Sequence, residues 1–178
     1  MDTPLSKRAE LFAKRYMSGK RKNSEREAWR HPEDVAKLVD SLPHFAGMER
    51  ERLIALAWLH DVLEDCEDVE AHTLSSAGIP SPVIADVIAL TRRPGVPKEK
   101  YLSDLCSARR HVRLIKVLDR IANLREGAST MPTDWIIRYV YQTRTFFVPI
   151  CRDLPSDVPM LLEHAIDCAI HRRYWKKS

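Results

Sequence analysis

The sequence predicts an all-α protein, and three features of its 178 residues lead to that fold class. Apolar residues recur at spacings of three and four, which is the period of an amphipathic helix. Long segments are rich in Ala, Leu, Glu, Arg and Lys, the residues that favour helices. The chain has only five glycines, and it has few of the alternating patterns that are typical of strands. We therefore expect a single-domain helical bundle over residues 1–178.

Prolines and glycines divide the chain into its predicted helices. The expected helices lie at about 6–17, 32–42, 47–65, 68–77, 80–90, 97–106, 109–125, 133–151 and 158–175. Gly127 and Pro132 are expected to end the helix that begins at residue 109. Pro149 is expected to kink or shorten the 133–151 helix. The last helix is expected to pack on the rest of the domain.

Composition and charge indicate which class of ligand the protein binds and in which cellular compartment it works. A net charge of +4 is compatible with an anionic small molecule and does not call for nucleic acid. The four cysteines are far apart and form no CxxC pair, which indicates reduced thiols of a cytoplasmic protein. The N-terminal segment lacks the apolar core of a secretory signal. No run of about 18 apolar residues predicts a membrane span.

Residues 58–65, which read WLHDVLED, concentrate polar side chains at the end of an apolar helix. We expect His60 to lie over Glu64 and Asp61 over Asp65, because residues four apart are neighbours on a helix surface. Burying so many carboxylates costs several kcal/mol per ion unless a positive charge compensates them. A divalent cation is the simplest compensating charge.

Two other residues complete a possible donor set with His60 and Asp61. His31 stands at the start of a predicted helix, and Asp119 lies among apolar residues in the 109–125 helix. The set of two imidazoles and two carboxylates suits Mn²⁺, and as alternatives Fe²⁺ or Zn²⁺, better than Mg²⁺ or Ca²⁺. Taken singly, His31 is as well explained as a packing residue, and Asp119 as the partner of Arg120 or another arginine.

The order and spacing H…HD…D resemble the HD phosphohydrolase superfamily, and the chain most resembles the hydrolase module of the Rel/Spo alarmone proteins and their small stand-alone relatives. The similarity covers about residues 11–150 in the family's order. The similar stretches are FAKRYMSGKRKN (12–23), HPEDVA (31–36), AWLHDVLED (57–65), ALTR (89–92), IKVLDRIANLRE (115–126) and QTRTFFVPI (142–150).

The resemblance implies an HD-domain helical bundle that removes the 3′-diphosphate from guanosine tetra- and pentaphosphate, or from adenosine analogues. The residues implied as Mn²⁺ ligands are His31, His60, Asp61 and Asp119. Glu64 and Asp65 would orient and deprotonate the attacking water. The residues implied to contact substrate are Arg21, Lys22, Ser24, Lys116 and Asn123.

Basic residues outside the motifs add candidates for phosphate binding. Arg92, in a predicted loop at 92–97, can hold the diphosphate by charge-assisted hydrogen bonds. The same loop is equally well explained as a plain surface connection. Ala28 stands where the family usually has tyrosine, and Cys66 stands where it usually has threonine. These departures lie outside the metal set and concern base specificity.

Three alternatives remain open at the level of sequence. The first is a phosphatase for another nucleotide or for a 2′- or 3′-phosphorylated cofactor. The second is a nucleotide sensor without turnover. The third is a helical scaffold in which the four candidate ligands form buried ion pairs. The intact Glu64–Asp65 pair argues against a sensor, because two carboxylates near phosphate do not favour binding alone.

Overall fold

The computed structural model describes residues 3–21 and 25–175, with side chains described through residue 171. Over those residues the regular structure is helical, with one isolated antiparallel bridge between Lys20 and Glu27. The predicted all-α fold class is therefore confirmed. Among the described helices, none is both long and apolar enough to span a bilayer. The chain divides into two compact units, residues 1–98 and 99–178.

The first unit is built around one central helix, α3. The helices of this unit are α1 (Leu5–Tyr16), α2 (Arg30–Asp40), α3 (Gly47–Leu59), α4 (Val62–Asp65), α5 (Ala71–Ser76) and α6 (Ser81–Leu90). Helix α3 packs against α1, α2 and α6. Its second half is apolar on all sides because neighbours surround it, and Leu53, Leu56 and Leu59 are fully buried.

The helix predicted to run unbroken through residues 58–65 is interrupted, so that expectation is wrong. Helix α3 ends at Leu59, His60 and Asp61 form a turn, and α4 begins at Val62. The backbone of Asp61, at φ −106° and ψ −5°, lies at the edge of the helical region. Its carbonyl oxygen then accepts hydrogen bonds from the backbone N–H groups of Glu64 at 3.0 Å and Asp65 at 2.9 Å, which start the new turn.

The second unit is organised by α8. Its elements are α7 (Lys98–Asp104), a 3₁₀ turn (Leu105–Ser107), α8 (Arg110–Thr130), α9 (Thr133–Gln142), a π-helical segment (Thr143–Phe147), α10 (Val148–Ile150) and α11 (Asp157–Trp175). Helix α8 packs along α11, and it also contacts α9 and the π-helical segment. The predicted helix at 158–175 corresponds to α11.

Helix α8 continues through Gly127 to Thr130, so the prediction that this glycine ends the helix is wrong. A Cβ at position 127 would lie 2.6 Å from Cζ3 of Trp135. The residue is glycine because the indole of Trp135 occupies the space that a side chain would need. Pro132 precedes α9, as expected of a residue that punctuates two helices.

The helix predicted at 133–151 is interrupted before Pro149. Thr143 and Thr145 hydrogen-bond through their hydroxyl groups to the carbonyl oxygens of Tyr139 at 2.6 Å and Tyr141 at 2.9 Å, respectively. The π-helical segment occupies this turn, and Pro149 follows in α10. Because proline has no N–H and its ring clashes with the carbonyl four residues earlier, the α-helical ladder cannot pass through it unchanged.

Candidate metal centre and adjoining cavity

His31 enters the candidate site from the first turn of α2. Before α2 the chain folds back on itself, with Ala28 N–H donating to the Gly19 carbonyl at 2.7 Å and Arg21 N–H donating to the Arg26 carbonyl at 3.0 Å. This return brings Gly19 and Arg21 beside the residues that lead into α2. The side chain of His31 is buried, and its Nε2 lies 3.6 Å from Oδ2 of Asp61.

His60 and Asp61 meet because they occupy the turn between α3 and α4. Nδ1 of His60 lies 2.7 Å from the carbonyl oxygen of Ala57, a distance at which the ring nitrogen donates its hydrogen. In the neutral ring this bond places the lone pair on Nε2, which leaves that nitrogen able to bind a metal. That Nε2 lies 3.0 Å from Oδ2 of Asp61.

The group formed by His31, His60 and Asp61 has the chemistry of a cation site. One ligand atom from each residue lies within 4.8 Å of the others. A neutral imidazole nitrogen and a carboxylate oxygen are both acceptors, so their close approach is favourable when a positive charge lies between them. Two nitrogen donors and one oxygen donor fit Mn²⁺, Fe²⁺ or Zn²⁺. This buried group could therefore hold a divalent metal.

Asp119, the fourth candidate ligand, is a buried residue of α8 in the second unit. Its Oδ2 lies 3.1 Å from Nζ of Lys116, and its Oδ1 accepts a hydrogen bond from Nδ2 of Asn123. The three residues therefore share one helix face, as their spacing predicts. The structure thus shows that Lys116 and Asn123 hold the carboxylate of Asp119 from both sides.

A cavity of about 350 Å³ adjoins the His31–Asp61 group within the first unit. The lining residues are Tyr16, Met17, Gly19, Lys20, Arg21, Ala28, His31, Asp61, Asp65 and Cys66. Its lining therefore combines the candidate ligands His31 and Asp61 with the carboxylate of Asp65 and with Gly19 and Ala28, whose backbones are hydrogen-bonded to each other. A volume of this size is at the lower end of small-molecule sites.

Some of the residues predicted to act on substrate line this cavity, and others do not. Asp65 and Arg21 line it, whereas Glu64, which is exposed like Asp65, is not among its lining residues. The guanidinium of Arg92 donates a hydrogen bond to the Val96 carbonyl at 2.9 Å within its own loop, and Arg92 is also not a lining residue. Lys22 and Ser24 lie outside the described residues.

Several lining residues were not predicted as site residues from the sequence. Tyr16, Met17 and Lys20 belong to the FAKRYMSGKRKN stretch, so their place in that motif is the signal that could have identified them. Cys66 donates a hydrogen bond from its thiol to the Tyr16 carbonyl at 3.6 Å. Burial, together with the charges of Asp65 and Asp61, raises the pKa of this thiol, so Cys66 stays a neutral donor at the cavity wall.

Comparison with known proteins shows a match in structure and none in sequence. No protein-family model matches the chain, and no curated protein does. A solved structure described as a metazoan ortholog of SpoT that hydrolyses ppGpp and plays a role in starvation responses superposes with a TM-score of 0.76. The match covers 94% of this chain and 96% of that chain at 18% sequence identity. At that identity the match establishes the fold alone: the chain shares the all-α fold of that ppGpp hydrolase.

Proposed function

We propose that the protein is a divalent-metal-dependent phosphohydrolase that removes the 3′-diphosphate from guanosine or adenosine alarmone nucleotides such as (p)ppGpp, releasing pyrophosphate. The observation that carries this proposal is the convergence of His31, His60 and Asp61 beside a cavity that Arg21 and Asp65 also line. The fold that the chain shares with a ppGpp hydrolase supports the same reaction class.

In this proposal the ligands are His31, His60, Asp61 and Asp119, and the ion is Mn²⁺, with Fe²⁺ and Zn²⁺ as alternatives. We include Asp119 among the ligands for two reasons. It occupies the last position of the H…HD…D order, and its carboxylate is buried and held by Lys116. A bound ion of this kind activates water at neutral pH and neutralises charge on the phosphoryl oxygens.

The carboxylates beside the cavity supply the base. Water attacks the phosphorus atom bonded to the 3′ oxygen, and the bond between that oxygen and phosphorus breaks. Asp65, at the cavity wall, accepts the proton of the water, and Glu64 orients the same water from the preceding position. The nucleoside 3′ oxygen leaves and takes up a proton, and the products are the nucleoside 5′-di- or 5′-triphosphate and pyrophosphate.

Basic and polar side chains bind the nucleotide. Arg21 lines the cavity, where its guanidinium can hold phosphate oxygens in a bidentate manner. We further assign Lys22, Ser24 and Arg92 to substrate binding, and Asn123 to the nucleoside. Lys116 lies 3.1 Å from the Asp119 carboxylate and contributes positive charge near the phosphates.

The decisive experiment incubates the purified protein with Mn²⁺ and a panel of nucleotides that carry a 3′-diphosphate, a 5′-triphosphate or a 2′-phosphate. Pyrophosphate released from guanosine tetraphosphate, with ¹⁸O from labelled water found in the pyrophosphate, supports the proposal. Inorganic phosphate released from a 2′- or 3′-phosphorylated cofactor would show instead that the protein is a phosphatase for such cofactors. Tight nucleotide binding without product would make the protein a sensor.

A further inference from the structure

Arg120, the residue after Asp119, is a buried cation held by aromatic rings. Only 4% of the residue is exposed. Its Cζ lies 3.8 Å from the ring centroid of Tyr139 and 4.0 Å from that of Phe147. Its Nη2 donates a hydrogen bond to Oε1 of Gln142 at 3.0 Å. The guanidinium is thus fixed by three residues that lie outside its own helix.

The π-helical segment brings Phe147 to Arg120. On a regular helix Phe146, seven residues after Tyr139, would lie about 20° from it around the axis, and Phe147 would lie about 80° away. A π turn contains one extra residue, which moves the following residues back by about one position. In agreement with this shift, Phe147 is fully buried and contacts the guanidinium, while Phe146 is only half-buried.

Packing alone does not account for an arginine at this position. Removing a guanidinium from water costs several kcal/mol, and an apolar side chain of similar volume often stabilises a buried site as well or better. The two cation–π contacts recover only part of that cost. A planar group between two rings does, however, fix orientation in a way that a flexible apolar side chain does not.

We propose that Arg120 is a positioning residue for Asp119 in metal binding, an inference that rests on the proposed function. Adjacent residues on a helix point about 100° apart, so Arg120 holds one side of α8 while Asp119 projects from another. With Arg120 fixed between Tyr139 and Phe147, α8 cannot rotate about its axis. The carboxylate of Asp119, held on its own face by Lys116 and Asn123, then keeps one direction.

The test compares Mn²⁺ affinity, measured by titration calorimetry, in the wild type and in Arg120→Met and Arg120→Lys. Loss of a residue that orients a metal ligand without binding the metal itself weakens metal binding by about 10- to 100-fold. We expect both substitutions to lower Mn²⁺ affinity within that range. The lysine variant keeps the charge but cannot stack between two rings, so it separates orientation from charge. Millimolar Mn²⁺ should restore turnover in both variants.

The matched control is Arg52→Met in the first unit. Arg52 pairs with the fully buried Asp86 at 2.5 Å, so the substitution also removes a structural arginine. Mn²⁺ affinity should stay within twofold of the wild type in this control. If Arg120→Met does not fold, as judged by circular dichroism, Tyr139→Leu removes one ring face from a partly exposed position and should weaken Mn²⁺ binding in the same direction.

The outcomes separate the inference from the proposed function. A wild-type protein that binds no Mn²⁺, Fe²⁺ or Zn²⁺ would overturn the proposed function and the positioning role with it. A wild type that binds Mn²⁺, together with a folded Arg120→Met (or Tyr139→Leu) whose affinity is within twofold of it, would overturn the positioning role alone.

Discussion

Nε2 of His60 lies 3.0 Å from Oδ2 of Asp61, although the two residues are adjacent in the chain. Consecutive side chains on a continuous helix diverge by about 100° and do not face each other. The two meet in the turn between α3, which ends at Leu59, and α4, which begins at Val62, where the backbone of Asp61 departs from ideal helical angles. The interruption of the helix therefore produces a nitrogen and an oxygen donor that face the same point.

The first prediction concerns this carboxylate. Asp61→Asn should weaken Mn²⁺ binding by at least about 100-fold, because an amide oxygen carries no charge. Even the loss of a residue that only orients a metal ligand lowers metal affinity by up to about 100-fold. Calorimetric titration of the purified variant checks the effect. Asp68→Asn, which alters an exposed carboxylate a few residues further on, should bind Mn²⁺ like the wild type. Equal affinities for both variants would remove Asp61 from the metal site.

The second prediction distinguishes catalysis from metal binding. Asp65→Asn should slow hydrolysis by about 10²- to 10⁴-fold, the contribution of a positioned base, while Mn²⁺ affinity stays within a few-fold of the wild type. Steady-state assay of pyrophosphate release and calorimetry together check this.

Two companion variants sharpen that result. Glu64→Gln should also slow turnover, but less than Asp65→Asn, because Asp65 lines the cavity and Glu64 does not. The exposed neighbour Glu67 provides the control, since Glu67→Gln should leave the rate unchanged. Wild-type turnover in Asp65→Asn would show that another group accepts the proton.

The third prediction concerns the fold of the second unit. Gly127→Ala should lower the free energy of unfolding by about 1–3 kcal/mol, because its Cβ would lie 2.6 Å from the Trp135 ring. Urea denaturation followed by circular dichroism measures the change. In a Trp135→Leu background the same substitution should cost much less, since the two sites share one contact. A neutral or stabilising effect of Gly127→Ala in the wild-type background would contradict the proposed reason for glycine.

The fourth prediction concerns the buried thiol of Cys151. Burial, and to a lesser extent the charge of Glu163, raise its pKa to about 11, while Arg113 acts in the opposite direction. At pH 8 only about one molecule in a thousand carries the thiolate, so iodoacetamide should modify exposed Cys106 at least about 100-fold faster than Cys151. Peptide mass spectrometry with and without urea checks the order. Comparable rates in the folded protein would show that Cys151 is accessible and ionised.

The same shift fixes the direction of a pH effect on stability. The folded state holds the Cys151 proton more tightly than the unfolded chain, whose thiol has its ordinary pKa of 9.0. The contribution of this group to stability is therefore complete below pH 9 and is lost as the pH rises through about 11. Cys151→Ala should make unfolding less dependent on pH in that window.

Much of the fold and part of the site could be predicted from the sequence. Helical periodicity and the scarcity of glycine determined the all-α class, because a helix satisfies its backbone locally and shows its buried face every three to four residues. The spacing of Lys116, Asp119 and Asn123 along the predicted 109–125 helix is that of one helix face, and the structure shows their contacts.

Features that depend on residues distant in the chain could not be predicted in this way. Gly127 suggested a helix end, but the indole of Trp135, eight residues later, makes it a point of close packing. Arg120 suggested an ion-pair partner for Asp119, yet the structure places its guanidinium between Tyr139 and Phe147. The π turn that brings Phe147 to the Arg120 guanidinium leaves no repeating pattern of apolar residues by which the sequence could predict it.

The sequence by itself determined the residue types of the candidate centre and their order along the chain: two histidines and two aspartates, followed by a further pair of carboxylates. Only the tertiary structure decided which of them share a point in space. It interrupts the helix at His60 and Asp61, brings His31 beside them, and places Asp65 but not Glu64 among the residues that line the cavity. The physical reason is that spacing along a helix fixes directions within one element, whereas the approach of separate elements depends on how their buried faces pack.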